Sequence, residues 1–359
     1  MENLITKEQM DYFWKKRDFV YYILSILVFL IHISSFAQYP ANEGTMALLN
    51  VKMSFFFKES ITRFAVPLFF ILSGITFFRD YNNQKYVAKI KSRFFTLCVP
   101  YLIWNTLWMI FDIICSYTFI SSFFTGRKLF ALTVDNVLKA VFLAEFNIPF
   151  WFMSYLIVFV LLSPLLDLLA KNKYVGIVAV AFLSVFSIFE IGTLKYDSVA
   201  FYLLGAILGK HYFGWIIKKT SKRNGIFSTV FLVVYFAFKN IFPVNEYFGK
   251  PFVKIAVFIL ASYAFWHMLD LFMGNVSRRP LYTRSFAVFV LHVNMSAIIC
   301  ELLYLIFPKN AYFAFPNFVL TLILTLLAIN VFCVVGERYL PRVFALLMGK
   351  GIQTKTARK

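Results

Sequence analysis

The sequence predicts an all-α fold, a polytopic integral membrane helical bundle of about ten transmembrane helices with both termini cytoplasmic. Three observations carry this expectation. Hydrophobic residues fill 61% of the 359 positions, and a bilayer-spanning helix uses ~20 of them. Charged residues make up only 15%, against roughly 25% in an ordinary soluble domain. Finally, the 36 basic residues outnumber 17 acidic ones and gather in short connections between apolar runs, where cytosolic loops facing an anionic leaflet carry them.

Taken in order, the apolar runs fall near residues 19–36, 61–78, 94–117, 149–169, 174–193, 199–217, 225–242, 252–273, 284–307 and 313–336. Pro67, Pro100 and Pro164 lie within or beside runs, which is acceptable because membrane helices tolerate proline. Alternate connections hold 24 Lys/Arg on one side and 11 on the other. Removing one interior span would swap every later loop, so the asymmetry supports an even count, cytoplasmic termini and an outside segment at 118–148. Lys15, Lys16 and Arg17 precede a run ending in Ser35-Phe36-Ala37, as in a signal peptide. The run is long for a signal and nine more follow, so it reads as a retained helix. No polar block is long enough for a second domain. The division is a cytoplasmic segment 1–18, a membrane domain 19–340 and a basic tail 341–359 in a multi-pass protein of the cell membrane.

A net charge of +19 would suggest nucleic acid in a soluble protein, yet the basic loops contain no recognisable binding module, and no nucleic-acid partner is expected. Cys98, Cys115, Cys300 and Cys333 sit inside apolar runs without CxxC spacing, so neither a disulfide framework nor a metal site is indicated.

Ionisable or polar groups within spans are the places to look for chemistry, since each costs at least ~2.5 kcal/mol at mid-membrane. His32 lies about 13 residues into the first run, ~20 Å deep at 1.5 Å per residue. A neutral imidazole there can accept a proton or hydrogen-bond across the bundle. Arg63 stands near the outer end of the second run in Arg63-Phe-Ala-Val-Pro67-Leu-Phe-Phe-Ile-Leu-Ser73-Gly74, to act on substrate or to snorkel. Arg93, in Lys89-Ile-Lys91-Ser-Arg93, offers a phosphate contact or plain positive-inside flanking. Asp112, Trp151 and His292 are the remaining polar or interfacial candidates. GxSxG, HExxH, P-loop and GxGxxG patterns are absent, as is a histidine followed by aspartate five positions later. Gly205 and Gly209 form a GxxxG pair that reads as helix packing.

In chain order, His32, Arg63 through Gly74, Lys91-Ser-Arg93 leading into Pro100-Tyr101-Leu-Ile-Trp104, Pro149-Phe-Trp151-Phe with Leu-Leu-Ser-Pro164, Phe201-Tyr-Leu-Leu-Gly205 with Gly209, and Ser285-Phe-Ala-Val-Phe-Val-Leu-His292 make six blocks. Together they resemble the acyltransferase-3 family, in its subgroup with Arg-x-x-Val-Pro-Leu-Phe-Phe in span two. The resemblance covers nearly the whole chain. It implies a ten-span O-acyltransferase that moves acyl groups, usually acetyl, from acetyl-CoA as donor co-substrate to hydroxyls of an extracytoplasmic or lipid-linked glycan. His32 would be general base or transient acyl acceptor, and Arg63 the second catalytic residue, near the outer side where the acceptor hydroxyl enters. Arg93 and Arg17 would face the donor phosphates, and Trp151 the acceptor, with Asp112 and His292 as further substrate-side groups. One departure stands out: the family commonly has arginine eleven residues before the span-one histidine, and here that position is Tyr21. Eleven residues are about three turns, so Tyr21 shares the face of His32 ~16 Å nearer the cytosol, and Arg17, a turn closer to the cytosol, is the nearest replacement.

Two other readings compete. A transporter or flippase of a lipid-linked sugar would suit ten Gly/Pro-interrupted spans, although no two-half repeat is visible. A catalytically inactive interaction protein is suggested only by Tyr21. The membrane lipid is a partner in every reading.

Overall fold

The computed structural model describes residues 5–39, 44–118, 130–145, 147–186, 196–241, 251–275 and 280–350. Residues 119–129 and 146 of the expected outer segment 118–148, and 351–359 of the tail, therefore lie outside the described residues. Every regular element among the described residues is helical.

α1 (Lys7–His32) starts twelve residues before its apolar run because Thr6 and Gln9 form a reciprocal cap. The Thr6 amide donates to Gln9 Oε1 at 3.0 Å and the Gln9 amide to Thr6 Oγ1 at 3.2 Å, satisfying two otherwise orphaned donors. The short α2 (Ser35–Gln38) follows. α3 (Thr45–Phe55) then occupies what reads in the sequence as an outer loop. A π turn, Phe56–Ser60, leads from it towards α4 (Ala65–Phe78). α5 (Tyr86–Arg93) joins α6 (Val99–Tyr117) through a second π turn, Phe94–Cys98. The reason is Pro100, whose ring would meet the carbonyl of Thr96 in a regular helix, and the wider turn relieves that conflict.

α7 (Val134–Phe142) is capped by Thr133, whose hydroxyl accepts from the Asn136 amide at 3.2 Å. α8 (Trp151–Leu161) breaks at Leu162, and α9 (Ser163–Lys171) begins with Pro164 in its first turn, where the missing N–H costs nothing. α10 (Lys173–Phe186), α11 (Tyr196–His211), α12 (Phe213–Ile216), α13 (Lys222–Ile241) and α14 (Pro251–Leu269) follow. α15 (Ser285–Ile306), α16 (Ala314–Tyr339) and α17 (Pro341–Leu347) complete the order.

Among the described residues each of the ten apolar runs lies largely on helix, with 187–193 of the fifth and 242 of the seventh outside those residues. Six helical stretches among the described residues are long and apolar enough to cross a membrane: Lys7–Gln38, Thr45–Phe78, Asn83–Tyr117, Lys222–Ile241, Pro280–Ile306 and Ala311–Tyr339. A seventh, 148–171, is broken at Leu162, while Lys173–Phe186 and Val253–Leu269 are apolar but shorter. Large apolar side chains such as Phe227, Val178 and Ile306 stand exposed, as a lipid-facing surface requires and a water-facing one rarely tolerates.

The chain divides into two compact units. One holds Met1–His32, Ala41–Gln84 and Leu162–Ser285, the other Ile33–Pro40, Lys85–Leu161 and Phe286–Lys359. In the first, α4 and α11 make the most intimate pair, with α1, α9, α10 and α14 around them. Lipid chains are as apolar as leucine, so such helices associate through close packing. Gly74 faces the Tyr202 carbonyl, Gly205 the Ile71 carbonyl, and a Cβ on Gly209 would lie 2.7 Å from the Ile75 carbonyl oxygen. Gly205→Val is accordingly expected to destabilise by about 1–3 kcal/mol or more through overpacking, read as a lower thermal midpoint in detergent. Wild-type melting would show that the two backbones do not meet there. In the second unit α6 packs with α7 and α17, α5 with α8, and α16 with α2 and α17.

Candidate active site

The first unit carries His32, Arg63, Arg17 and Tyr21. His32 closes α1 and is half-buried. The π turn Phe56–Ser60 packs against this helix, and the charges of Lys58 and Arg63 reach the imidazole. Arg63 does not stand alone. Its Nε donates to Glu59 Oε2 at 2.6 Å and its Nη2 to the other carboxylate oxygen, a bidentate pair one helical turn apart. Both partners are exposed enough that the pair adds little stability, so its consequence is orientation of a planar guanidinium. From α13, Lys239 Nζ donates to the Glu59 carbonyl and Asn240 Nδ2 to Ser60 Oγ at 2.9 Å, tying the turn in place. An imidazole that can take a proton and a positioned guanidinium that can face a developing oxyanion are thus held on one helix end and its adjoining turn.

Tyr21 and Arg17 lie farther down α1. The Tyr21 ring stacks on Phe69 at 5.3 Å. Arg17 Nε donates to Asp18 at 3.0 Å, and its guanidinium sits 4.3 Å from the Trp14 ring. The strongest polar feature near them is one that sequence reasoning missed. Lys16 Nζ donates to Asp270 Oδ1 at 2.6 Å with both side chains 1% exposed. Tyr12 donates to the same oxygen, and the Thr220 amide to Oδ2 at 3.1 Å. The Trp266 ring lies 4.0 Å from the ammonium. Reading Lys15, Lys16 and Arg17 as one flank concealed this role, although a signal was available: Asp270 is the only acid between Glu246 and Glu301. Glu59, Lys239 and Asn240 were likewise unmarked in the sequence reading.

The second unit carries Arg93, Asp112, Trp151 and His292. Arg93 ends α5 immediately before the π turn. Along α6 a polar stripe anchors neighbouring backbone. Tyr101 donates to the Phe142 carbonyl at 2.8 Å, Asn105 Nδ2 to the Val141 carbonyl at 3.2 Å, Trp104 Nε1 to the Leu347 carbonyl at 2.9 Å and Trp108 Nε1 to the Val290 carbonyl at 3.0 Å. Asp112 continues this stripe and is buried. Trp151 opens α8, half-buried, its ring 5.7 Å from that of Tyr155. Its neighbours Phe150 and Phe152 both pack on Phe289, one turn from His292. The fully buried His292 has Nδ1 2.9 Å from the Val288 and Phe289 carbonyls. Carbonyls only accept, so Nδ1 carries the proton and Nε2 is the acceptor nitrogen.

Of the eight sequence candidates, His32 and Arg63 lie in the same unit, within reach of each other's charge. Arg17 and Tyr21 share α1 with His32, three turns or more away along it. Among the described residues no group of three or more His, Cys, Asp or Glu is disposed to hold a metal ion.

Residues 18–336 match a family model described as an acyltransferase domain, that of acyltransferase-3. No curated protein and no solved structure matches the chain.

Proposed function

The chain belongs to the acyltransferase-3 family, and from that premise we propose that it is a cell-membrane O-acyltransferase moving an acyl group, acetyl foremost, from cytoplasmic acyl-CoA to a hydroxyl of an extracytoplasmic or lipid-linked glycan. The observation that supports this reading best is the end of α1, where the charges of Lys58 and of Arg63, itself paired with Glu59, act on the His32 imidazole. In the proposed step His32 takes the hydroxyl proton as the oxygen attacks the thioester carbon, Arg63 faces the oxyanion, and the proton passes to the departing coenzyme A sulfur. Transfer through an acyl-imidazole on His32 uses the same residues. The ten runs act as ten spans with cytoplasmic termini in this proposal, so donor and acceptor reach the protein from opposite faces. Arg93 is assigned to the donor phosphates. Trp151 is assigned to the acceptor.

Sealed membrane vesicles test the whole reading. Radiolabelled acetyl-CoA supplied to inverted vesicles should label envelope glycan, and right-side-out vesicles should give no label. Equal labelling from both faces, or none from either, would overturn it.

The two arginines are expected to fail differently. Arg93→Gln should raise KM for acetyl-CoA about tenfold, the loss of one charge-assisted contact, and leave the acceptor KM unchanged. Arg63→Gln should lower kcat or acceptor use while calorimetry finds coenzyme A binding intact. The opposite split would reverse the assignment of donor and acceptor.

A further inference from the structure

We propose that the cleft where α9 passes into α10 is a headgroup site for an anionic phospholipid, distinct from the residues assigned to acyl transfer and dependent only on the chain lying in a bilayer. Lys171, Asn172 and Lys173 make this connection, and a cavity of about 670 Å³ opens on it, lined also by His211 of α11 and by Leu168 and Val175. Three of its lining side chains are basic, and no acidic side chain lines it among the described residues. Asp167, close by in sequence, is engaged by Lys210 at 2.6 Å. His211 is held in place because its Nε2 donates to the Ala170 carbonyl at 2.8 Å. Asn172 Oδ1 accepts from the amides of Tyr174 at 2.9 Å and Val175 at 3.4 Å. That cap occupies donors at the start of α10, so recognition of an anion falls to Lys171 and Lys173.

The same cleft is apolar on its other walls. Leu168 is 67% and Val175 48% exposed, and α10 beyond them is apolar. Cations beside uncovered aliphatic surface match an amphiphile, with its phosphate on the ammonium groups and its chains along Leu168 and Val175. A soluble phosphate ester would satisfy the first half of the site and leave the second bare. The charge complementarity and the aliphatic walls together therefore select a lipid.

The full chain in neutral detergent, titrated with phosphatidylglycerol or phosphatidylcholine and read by native mass spectrometry, tests this. Wild type should retain phosphatidylglycerol about tenfold more tightly, two basic side chains near a membrane surface supplying at least that much. Lys171→Gln/Lys173→Gln should remove the preference, and Lys218→Gln/Lys219→Gln, a second basic pair, should keep it. Salt titration of wild type serves as a measurement that needs no variant, and the preference should fall as ionic strength rises. Equal retention of the two lipids, equal loss in the control pair, or a preference insensitive to salt would overturn the proposal. Displacement of the lipid by inorganic phosphate or coenzyme A would overturn it in favour of a soluble ligand. Acyl transfer by the double variant reports separately on the proposed reaction, so failure of one reading does not carry the other with it.

Discussion

His32→Ala is expected to abolish acyl transfer while the protein still folds and survives in detergent as wild type does. The imidazole is half-buried at the last turn of α1, so its removal takes away a hydrogen-bonding group worth only ~1 kcal/mol to the fold. The same change deletes the proton acceptor, or acyl acceptor, of the proposed reaction. Turnover of radiolabelled acetyl-CoA by the purified variant measures it. Activity above a tenth of wild type would remove His32 from the chemistry. The comparison with Arg63→Gln is informative, because in the proposed step Arg63 faces the same reacting centre but exchanges no proton, so its variant should be slow and not dead.

The second large effect is structural. Lys16→Met should destabilise by about 3–5 kcal/mol, since it leaves the Asp270 carboxylate in an enclosed site without its cation. Tyr12 and the Thr220 amide would still donate to it, which is why folding is weakened and not lost. Lys16→Met/Asp270→Leu should recover much of the deficit, because an apolar pair of similar volume carries no uncompensated charge. Thermal unfolding of the three proteins in one detergent decides the matter. A single variant that melts with wild type, or a double variant no better than the single, would show that the pair is not buried as described.

The sequence was most legible where physics is local. An apolar run is written in consecutive residues, and the described part of each of the ten lies largely on helix, six stretches among the described residues being long and apolar enough to cross a membrane. Edges were less legible because hydropathy registers where lipid ends, whereas a helix stops where its caps and turns are. The Thr6 and Gln9 cap carries α1 far beyond its apolar stretch, and α3 grows from a segment whose apolar residues are interrupted by Asn50 and Lys52. Gly205 and Gly209 announced close packing, but not Gly74 and Ile75 as what they pack against. For the site, the types of residue were visible and their companions were not. Arg63 reads as a lone cation because Glu59 falls outside the apolar run that begins at 61, and nothing in a linear pattern joins Lys239 to a carbonyl 180 residues away. The pairing of Lys16 with Asp270 spans 254 residues and escapes any local rule for the same reason.

That separation also sets a calendar for the growing chain. At about 5–20 residues per second, residue 270 follows residue 16 from the ribosome by roughly 13–50 s. For that interval Lys16 is an open charge at the edge of a nascent segment, able to help decide which way α1 is threaded. Once Asp270 arrives the charge is enclosed and ceases to mark a side. One ammonium group is thus an address label while translation proceeds and a rivet after it ends. A chain arrested before residue 270 keeps the label and lacks the rivet.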